Sequence, residues 1–155
     1  MKFNLVVFSG NVPAWVSDGF NYYAKRFRVP YSLDLMYKDF NSPNELKNTR
    51  KKIEYLEECK GKQHYTIALD SKGVGYNTIN FTSQVTKIGS MHSNISFFIG
   101  GVEGHTPDFI DEAHDSLSFS KLTFGHHMMI PLAAEILYRS YSLIIGHPYH
   151  RSKSR

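Results

Sequence analysis

The chain contains one cysteine, Cys59, among 155 residues, so no internal disulfide bond can form. A lone cysteine favours a reducing compartment, where disulfides are rare. No stretch approaches the roughly 18 unbroken apolar residues of a membrane-spanning helix. Residues 1–8 carry one positive charge and a very short apolar run, which predicts a first strand and not a signal peptide. These absences predict a cytoplasmic protein that does not act in a membrane.

The signature motifs of several enzyme classes are also missing. There is no G-x-G-x-x-G dinucleotide fingerprint and no glycine-lysine phosphate loop, which disfavours dinucleotides and nucleoside triphosphates as ligands. No G-x-S-x-G motif indicates a serine hydrolase, and no H-E-x-x-H motif indicates a zinc protease. Among the eight histidines, His126, His127, His147 and His150 have no cysteine near them in sequence. No metal site is therefore predicted.

Acidic residues are absent after Glu135, although the chain as a whole has a net charge of only +4. The last twenty residues hold four basic ones: Arg139, Arg151, Lys153 and Arg155. A basic end beside aromatic residues and histidines suits a phosphate-bearing partner. A solvated, frayed tail is the alternative, and charge alone does not separate the two. The triplet Arg50-Lys51-Lys52 is most simply a solvated helix face.

Apolar periodicity and turn residues predict strands that alternate with helices. The predicted strands are 2–8, 31–37, 64–69, 94–99 and a short one at 119–124. The predicted helices are 13–27, 42–59, 77–88, 106–115 and 127–145, the second opened by a capping box at Ser42-Pro43-Asn44-Glu45. This alternation is typical of an α/β fold with a mainly parallel sheet and helices on both faces. The chain length predicts one domain, residues 1–155.

Three loops follow successive predicted strands. They are Leu69-Asp70, the glycine turn Gly100-Gly101-Val102-Glu103-Gly104, and the segment Phe119 to Phe124. In a parallel sheet the carboxyl ends of the strands meet at one edge, where α/β proteins bind ligands. Glycines at such an edge let the backbone approach a ligand that a Cβ would hold off. The three loops together predict a nucleotide-sized pocket.

The last predicted helix is apolar over more than one face. Its apolar stripe consists of Met128, Met129, Leu132, Ala133, Ile136, Leu137 and Tyr141. Such a helix is either fully buried within the domain or covers the sheet and a second subunit together. We favour the second possibility, a homodimer.

Motifs spread over nearly the whole chain carry a family resemblance. They begin with Met1-Lys2-Phe3 and Pro13-Ala14-Trp15-Val16. They are densest in four segments: Phe98-Ile99-Gly100-Gly101-Val102-Glu103-Gly104, Ser118 to Phe124, Glu135 to Arg139, and His147-Pro148-Tyr149-His150. Each motif alone is only suggestive, but their order, spacing and the chain length together are specific. In these features the chain resembles the RlmH family of SPOUT methyltransferases.

The resemblance implies an α/β fold whose C-terminal segment threads a deep trefoil knot, in a homodimer. It implies S-adenosylmethionine as the methyl donor. The implied acceptor is N3 of a pseudouridine in helix 69 of 23S rRNA, on the assembled ribosome (large subunit or 70S). Carried over by motif, the implied cofactor contacts are Leu69, Gly100, Phe119, Ser120, Lys121, Leu122, Thr123 and Phe124.

Methyl transfer to a ring nitrogen sets two chemical requirements. Donor and acceptor must be held in line, which supplies most of the catalysis. The nitrogen must also lose its proton, so a base or an oxyanion-stabilising group is useful. The candidates are Tyr149, His150 and Arg151, with Arg139 and His126 nearby in the motif map. We expect the tail of one subunit, residues 147–155, to complete the pocket of the other.

The chain departs from the family pattern at several positions. Gly125 precedes His126 where a proline is common, Ile130 replaces a usual arginine, and Val102 replaces a small residue or proline in the glycine turn. Pro131 follows well inside the last predicted helix, so this helix is expected to start late or to bend.

Two other functions compete with the methyltransferase interpretation. One is a catalytically inactive ribosome- or RNA-binding factor of the same fold, which S-adenosylmethionine binding would distinguish. The other is a small-molecule enzyme that uses the same crevice. Steep salt dependence of ribosome affinity would separate both RNA-binding possibilities from that enzyme.

Overall fold

The computed structural model describes residues 1–151, and within them five strands form one parallel sheet. The strands are β1 Lys2–Val7, β2 Ser32–Tyr37, β3 Tyr65–Gly75, β4 Asn94–Ile99 and β5 Asp115–Ser118. Their order in the sheet is β2-β1-β4-β3-β5, and every neighbouring pair is parallel. All strands therefore end at the same edge, called here the carboxyl edge, and begin at the opposite amino edge.

Helices cover both faces of the sheet. They are α1 Ala14–Ala24, α2 Glu45–Gly61, α3 Thr78–Gly89, α4 Pro107–Glu112, α5 His126–Ile145 and a short 3-10 helix at Pro148–Arg151. The apolar residues of α1, α3 and α5 pack with Phe3, Leu5 and Phe97 on one face. Those of α2 and α4 pack with Val6 and Phe98 on the other. The predicted α/β fold with a parallel sheet and helices on both faces is confirmed.

Burial on both faces of the sheet explains why the sequences of the central strands are nearly continuous apolar runs. Phe97 and Phe98 are adjacent in β4, and both are fully buried. Successive side chains of a strand point to opposite faces, so each phenylalanine belongs to a different core. A parallel strand covered by helices on both sides favours apolar residues at nearly all positions, and the buried Ser96 of β4 is hydrogen-bonded to His64.

The third and fifth strands differ from their predicted bounds. Strand β3 continues to Gly75, and β5 is Asp115–Ser118, so that residues 119–124 form a loop and not a strand. The cause is a register shift between Leu69 and Val74, both of which pair with Leu117. A Cβ at Gly73 would lie only 2.5 Å from the backbone nitrogen of Leu117, so this excursion needs glycine.

The helix boundaries agree with the sequence at some positions and differ at others. Asn77 and Thr106 cap α3 and α4 through side-chain oxygens, as predicted. The capping box at Ser42 is wrong, because Asn44 caps α2 by accepting a hydrogen bond from the Lys47 N–H at 3.3 Å. Helix α1 ends at Ala24, three residues before the predicted end.

The last helix runs continuously from His126 through Pro131 to Ile145, so the expected late start is wrong. Pro131 faces Gly19 of α1, where a Cβ would lie 3.0 Å from the proline Cβ. Within residues 1–151, α5 is the one helix that could cross a membrane by length and composition alone. Eight of its residues are buried inside the fold, and Glu135 pairs with Arg139 midway along it. This is the pattern of a core helix.

Candidate active site

A cavity of about 280 Å³ opens at the carboxyl edge, where β3, β4 and β5 end and α5 begins. Most of the predicted cofactor contacts line it: Leu69, Gly100, Phe119, Ser120, Leu122, Thr123 and Phe124. His126, a predicted catalytic residue, lines it as well. Lys121 is exposed and lies outside the lining. The structure therefore brings together three loops that are far apart in sequence.

The glycine turn after β4 closes on its own backbone. Gly104 adopts a positive φ of 75° and donates its N–H to the Gly101 carbonyl at 3.0 Å. A Cβ at Gly100 would lie 2.6 Å from the backbone carbonyl carbon of Gly104. A side chain at Gly100 would thus force the turn open, since real Cβ atoms do not approach so closely. Gly100 and Gly104 are required by the shape of the cavity wall.

The loop after β5 forms the opposite wall. The Ser118 hydroxyl donates to the Ser120 carbonyl at 2.6 Å, and the Leu122 N–H donates to the Ser120 hydroxyl at 3.0 Å. Phe119 packs edge-on against Phe81 of α3, with ring centroids 5.7 Å apart. These contacts hold the loop while leaving Leu122 largely exposed at the mouth of the cavity. The result is an apolar wall interrupted by backbone polar groups.

The charge of the cavity lining restricts its ligand. Within residues 1–150, Asp70 and His126 are its ionisable side chains, and no lysine or arginine belongs to it. Burial, with a smaller contribution from His127, lowers the pKa of His126, so this imidazole is neutral at pH 7. Among the side chains that the structure describes, Asp70 is therefore the one charged group in the lining. Such a cavity favours a neutral or cationic ligand over a phosphate ester.

Sequence reasoning missed His105, which supports the glycine turn from behind. Its Nε2–H donates to the Phe98 carbonyl at 2.8 Å, and its ring stacks on Phe109 with centroids 4.5 Å apart. Burial lowers the pKa of His105, and this effect outweighs the hydrogen bond to Phe98 and the charge of Asp70, both of which raise the pKa. The neutral ring is therefore the form that the fold stabilises. The available sequence signal was a histidine placed directly after a glycine turn.

The protonation of His105 leads to a pH-dependent prediction. Because its folded pKa is depressed, its contribution to stability is complete above the unfolded pKa of about 6.5 and is lost as the pH falls through the folded value. Replacing it by leucine removes the hydrogen bond to Phe98, at a cost of about 1 kcal/mol at pH 8. Wild type and His105→Leu should therefore differ more in urea unfolding at pH 8 than at pH 5. An equal gap at both pH values would contradict this role.

A second cavity of about 110 Å³ adjoins the first and shares Leu117, Ser118 and Phe119 with it. Arg139 lines this second cavity. Its guanidinium donates twice to one carboxylate oxygen of Glu135, from Nε at 3.0 Å and from Nη2 at 2.6 Å. This pair lies one helical turn apart on α5 and is partly buried. The pair fixes the orientation of the Arg139 guanidinium beside the cavity.

Tyr149 is held by the same carboxylate. Its hydroxyl donates to Glu135 at 3.2 Å, and its ring lies against Tyr138 and under the Arg139 guanidinium. Burial, a hydrogen bond with Tyr23 and the charge of Glu135 all raise the pKa of Tyr149. The phenol is therefore protonated at neutral pH and unsuited to remove a proton. Its contacts anchor the C-terminal 3-10 helix to α5.

The remaining predicted catalytic residues lie beyond Tyr149. His150 lines neither cavity, and its buried Nδ1 has no hydrogen-bond partner within residues 1–151. The backbone of Arg151 ends the 3-10 helix, and its side chain lies outside the described part of the chain, as do residues 152–155. His126 and Arg139 thus line adjoining cavities, Tyr149 contacts Arg139, and His150 belongs to neither lining. In the described residues, no three histidine, cysteine, aspartate or glutamate side chains are grouped to hold a metal ion.

The parallel sheet and its carboxyl-edge cavity agree with a match to a known family. A family model described as predicted SPOUT methyltransferase matches residues 1–150. The chain therefore belongs to the SPOUT methyltransferase family, and the family resemblance inferred from its motifs is confirmed.

Named relatives align over nearly their whole length. Ribosomal RNA large subunit methyltransferase H of Cupriavidus metallidurans is 31% identical over 159 residues, which cover 98% of this chain and 100% of the relative. The protein of the same name from Coxiella burnetii is 32% identical over 155 residues, covering 97% and 100%. That from Hahella chejuensis is 29% identical over 157 residues, covering 97% and 99%.

Proposed function

We propose that this protein transfers a methyl group from S-adenosylmethionine to N3 of a pseudouridine in helix 69 of 23S rRNA. It acts in the cytoplasm on the assembled ribosome, as a homodimer whose protomers are each one SPOUT domain with a C-terminal knot. The relatives named as ribosomal RNA large subunit methyltransferases support an rRNA substrate. The nucleotide, the dimer and the knot follow from the family resemblance.

One observation carries the choice of methyl donor. As far as the described residues go, the cavity combines apolar walls and backbone polar groups with one charged side chain, the Asp70 carboxylate. S-adenosylmethionine has a sulfonium centre, an ammonium group and one carboxylate, so it is a net cation at neutral pH, and it has no phosphate. An anionic side chain in a described lining without lysine or arginine matches that net charge and disfavours nucleotide phosphates. At about 280 Å³ the cavity is near the lower end of the roughly 300–1,000 Å³ usual for ligand sites.

Different residues of the cavity bind different parts of S-adenosylmethionine. Leu69, Ile99 and Leu117 supply apolar walls for a flat base, and the Gly100 turn allows backbone groups to approach it. Asp70 accepts one backbone hydrogen bond, from Lys72 to Oδ2 at 3.0 Å, which fixes its carboxylate. Its other oxygen is available for a ribose hydroxyl or an ammonium group. When bound, the donor supplies an electrophilic methyl carbon.

Proton removal from the base is assigned to residues at the two cavities. His126 lies in the first cavity as a neutral imidazole, the form that accepts a proton. Arg139 lies at the second cavity with its guanidinium fixed by Glu135, where it can stabilise negative charge that develops on the base. His150 and Arg151 complete the site from the partner's tail. Tyr149 holds that tail in place.

The proposal is tested by labelled methyl transfer. Ribosomes from cells that lack this protein are incubated with the purified enzyme and methyl-labelled S-adenosylmethionine, and the modified nucleotide is mapped. Label at N3 of one pseudouridine in helix 69 is the expected result, and ribosomes from cells that contain the protein should accept little label.

Other outcomes would contradict the proposal in different ways. Label in another nucleotide would reject the target, and label in a small metabolite would favour the small-molecule enzyme. Ribosome binding without S-adenosylmethionine binding would favour an inert RNA-binding factor.

A further inference from the structure

Helix α2 presents an exposed stripe whose charge changes sign halfway along. The stripe consists of Lys47, Arg50, Lys51, Glu54, Glu57 and Glu58, all exposed and spaced three or four residues apart. Residues at that spacing share one face of a helix. The first three, called here the basic stripe, are cations, and the last three are anions. Asn48, Leu56 and Cys59 form the buried face of the same helix.

This arrangement is unfavourable within the isolated chain. Lys47 and Lys51 are like charges at i,i+4, and so are Glu54 and Glu58. Lys47 lies in the first turn, where the helix dipole disfavours cations. Glu45, in the same turn, is an anion and is favoured there. Arg50 and Lys51 lie at i,i+4 and i,i+3 from Glu54, which offsets part of this repulsion. Within residues 1–151 the ion pairs within 4.0 Å are Lys60–Glu112 and Glu135–Arg139, so none of them joins the two halves of the stripe. Lys47 and Lys51 remain unfavourable neighbours, and their placement is not explained by helix stability.

The basic stripe lies toward the same edge of the sheet as the candidate active site. Helix α2 follows β2, which ends at the carboxyl edge, and it runs back to the amino edge where β3 begins. The first half of α2 is therefore the half near the carboxyl edge. Lys52 lies beside the stripe with Nζ 5.4 Å from the Phe8 ring, and Phe8 contacts His105 behind the glycine turn.

The described lining of the cavity offers no cation to the backbone of a nucleic acid. Within residues 1–150 it contains no lysine or arginine, yet affinity for RNA depends largely on cations that neutralise phosphates. Phosphates on either side of a target nucleotide must therefore meet cations outside the cavity. The basic stripe supplies three exposed cations on the half of α2 that lies toward the same edge of the sheet, and none of them forms an ion pair within residues 1–151.

We propose that Lys47, Arg50 and Lys51 form a docking surface for the phosphate backbone of ribosomal RNA next to the target nucleotide. This inference rests on the proposed function, since it assumes an RNA substrate at the carboxyl edge. The basic stripe positions the substrate and takes no part in methyl transfer. With it, the surface that contacts RNA extends from the cavity to the face of the sheet that α2 covers.

The test compares two triple variants that remove equal charge. Lys47→Gln, Arg50→Gln and Lys51→Gln are combined in one protein. The matched control combines Lys2→Gln, Lys25→Gln and Lys87→Gln, which are cations at or near the amino edge. The probe is 70S ribosomes from cells that lack this protein. Their affinity is measured between about 50 and 200 mM salt, and kcat, KM and S-adenosylmethionine affinity are measured in parallel.

The stripe variant should bind ribosomes at least about 10-fold more weakly at low salt. Its log–log salt slope should fall by about 2 to 3, since each phosphate that is no longer neutralised accounts for roughly 0.7–0.9. KM for ribosomes should rise, while kcat and S-adenosylmethionine affinity stay within about twofold. Its thermal midpoint should stay close to that of the wild type, because the repulsion between Lys47 and Lys51 and the attraction of Arg50 and Lys51 to Glu54 are removed together. The control should lose less than about threefold in affinity.

Equal affinity and equal salt slope in the two triple variants would overturn the docking surface. A fall in kcat with unchanged KM would also overturn it, because the stripe would then act on chemistry. Ribosome binding is measured apart from methyl transfer. A wild-type protein that binds ribosomes without methylating them would contradict the proposed function. The docking surface would then be decided by the comparison of ribosome affinity between the two triple variants.

Discussion

Replacing Gly100 by alanine should weaken S-adenosylmethionine binding by about 100-fold or more, because the wall of the cavity would be displaced by the order of 1 Å. The new Cβ would lie 2.6 Å from the Gly104 carbonyl carbon and 3.0 Å from the His105 nitrogen, both of which are backbone atoms. Backbone cannot rotate away as the end of a flexible side chain can. The turn must therefore open, and the groups that face the ligand move with it.

The rest of the fold should tolerate this change. Gly100 follows the last residue of β4, and the turn that it opens carries the exposed residues Val102 and Glu103. We expect the free energy of unfolding to fall by about 1–2 kcal/mol, within the usual range for a point substitution. Calorimetric titration with S-adenosylmethionine and urea unfolding measure the two effects separately.

Gly61→Ala is the matched control for Gly100→Ala. Gly61 is the last residue of α2, and no heavy atom lies within 4 Å of the position that its Cβ would take. The same added methyl group should therefore leave cofactor affinity unchanged. If Gly100→Ala bound the donor as tightly as this control, the glycine turn would not form part of the cofactor site.

The sheet and most helices can be predicted because their signals are local. Alternating elements, side-chain caps at Asn77 and Thr106, and the doubly buried run of β4 are all visible in short stretches of sequence. The position of the fifth strand cannot be predicted in this way, because it depends on pairing with a strand that is distant in sequence. Leu117 pairs with both Leu69 and Val74 after the chain loops out at Gly73, and no local pattern records that excursion.

Part of the candidate site can also be predicted from the sequence. Loops that follow successive parallel strands converge for topological reasons, so their meeting can be foreseen without coordinates. The role of His105 cannot be foreseen, because it depends on contacts with the Phe98 carbonyl and with the Phe109 ring of α4. The same holds for Glu135 as the partner of both Arg139 and Tyr149, which the helix and its C-terminal turn bring to one carboxylate.

The basic triplet Arg50-Lys51-Lys52 shows how a sequence run can conceal two surfaces. Read as a run, it suggests one solvated face. In the helix, Arg50 and Lys51 join Lys47 on the exposed stripe, whereas Lys52 turns toward the Phe8 ring at 5.4 Å. Helical geometry, and not adjacency in sequence, decides which cations can act together.

Replacing His150 and Arg151 together by alanine should reduce methyl transfer by about 100-fold or more, the size of a lost acid-base or electrostatic contribution. S-adenosylmethionine affinity should stay within about threefold, because His150 does not line the described cavity and the proposed role of Arg151 is in catalysis and not in cofactor binding. Single-turnover transfer to ribosomes and calorimetric titration provide the two measurements. The 3-10 helix should persist, since Tyr149 keeps its contacts with Glu135 and Tyr138. Unchanged turnover in this double variant would remove the tail from the mechanism.

Mixed dimers decide whether the tail acts within one subunit or across the interface. The His150→Ala, Arg151→Ala protein has an intact cavity, and the Gly100→Ala protein has an intact tail. If the tail reaches into the partner's site, each mixed dimer regains one site with an intact cavity and an intact tail. An equal mixture then recovers roughly a quarter of wild-type activity, because half of the dimers are mixed and each has one complete site of two. If the tail serves its own subunit, every site in the mixed dimer contains one defect, and the mixture stays as inactive as its components.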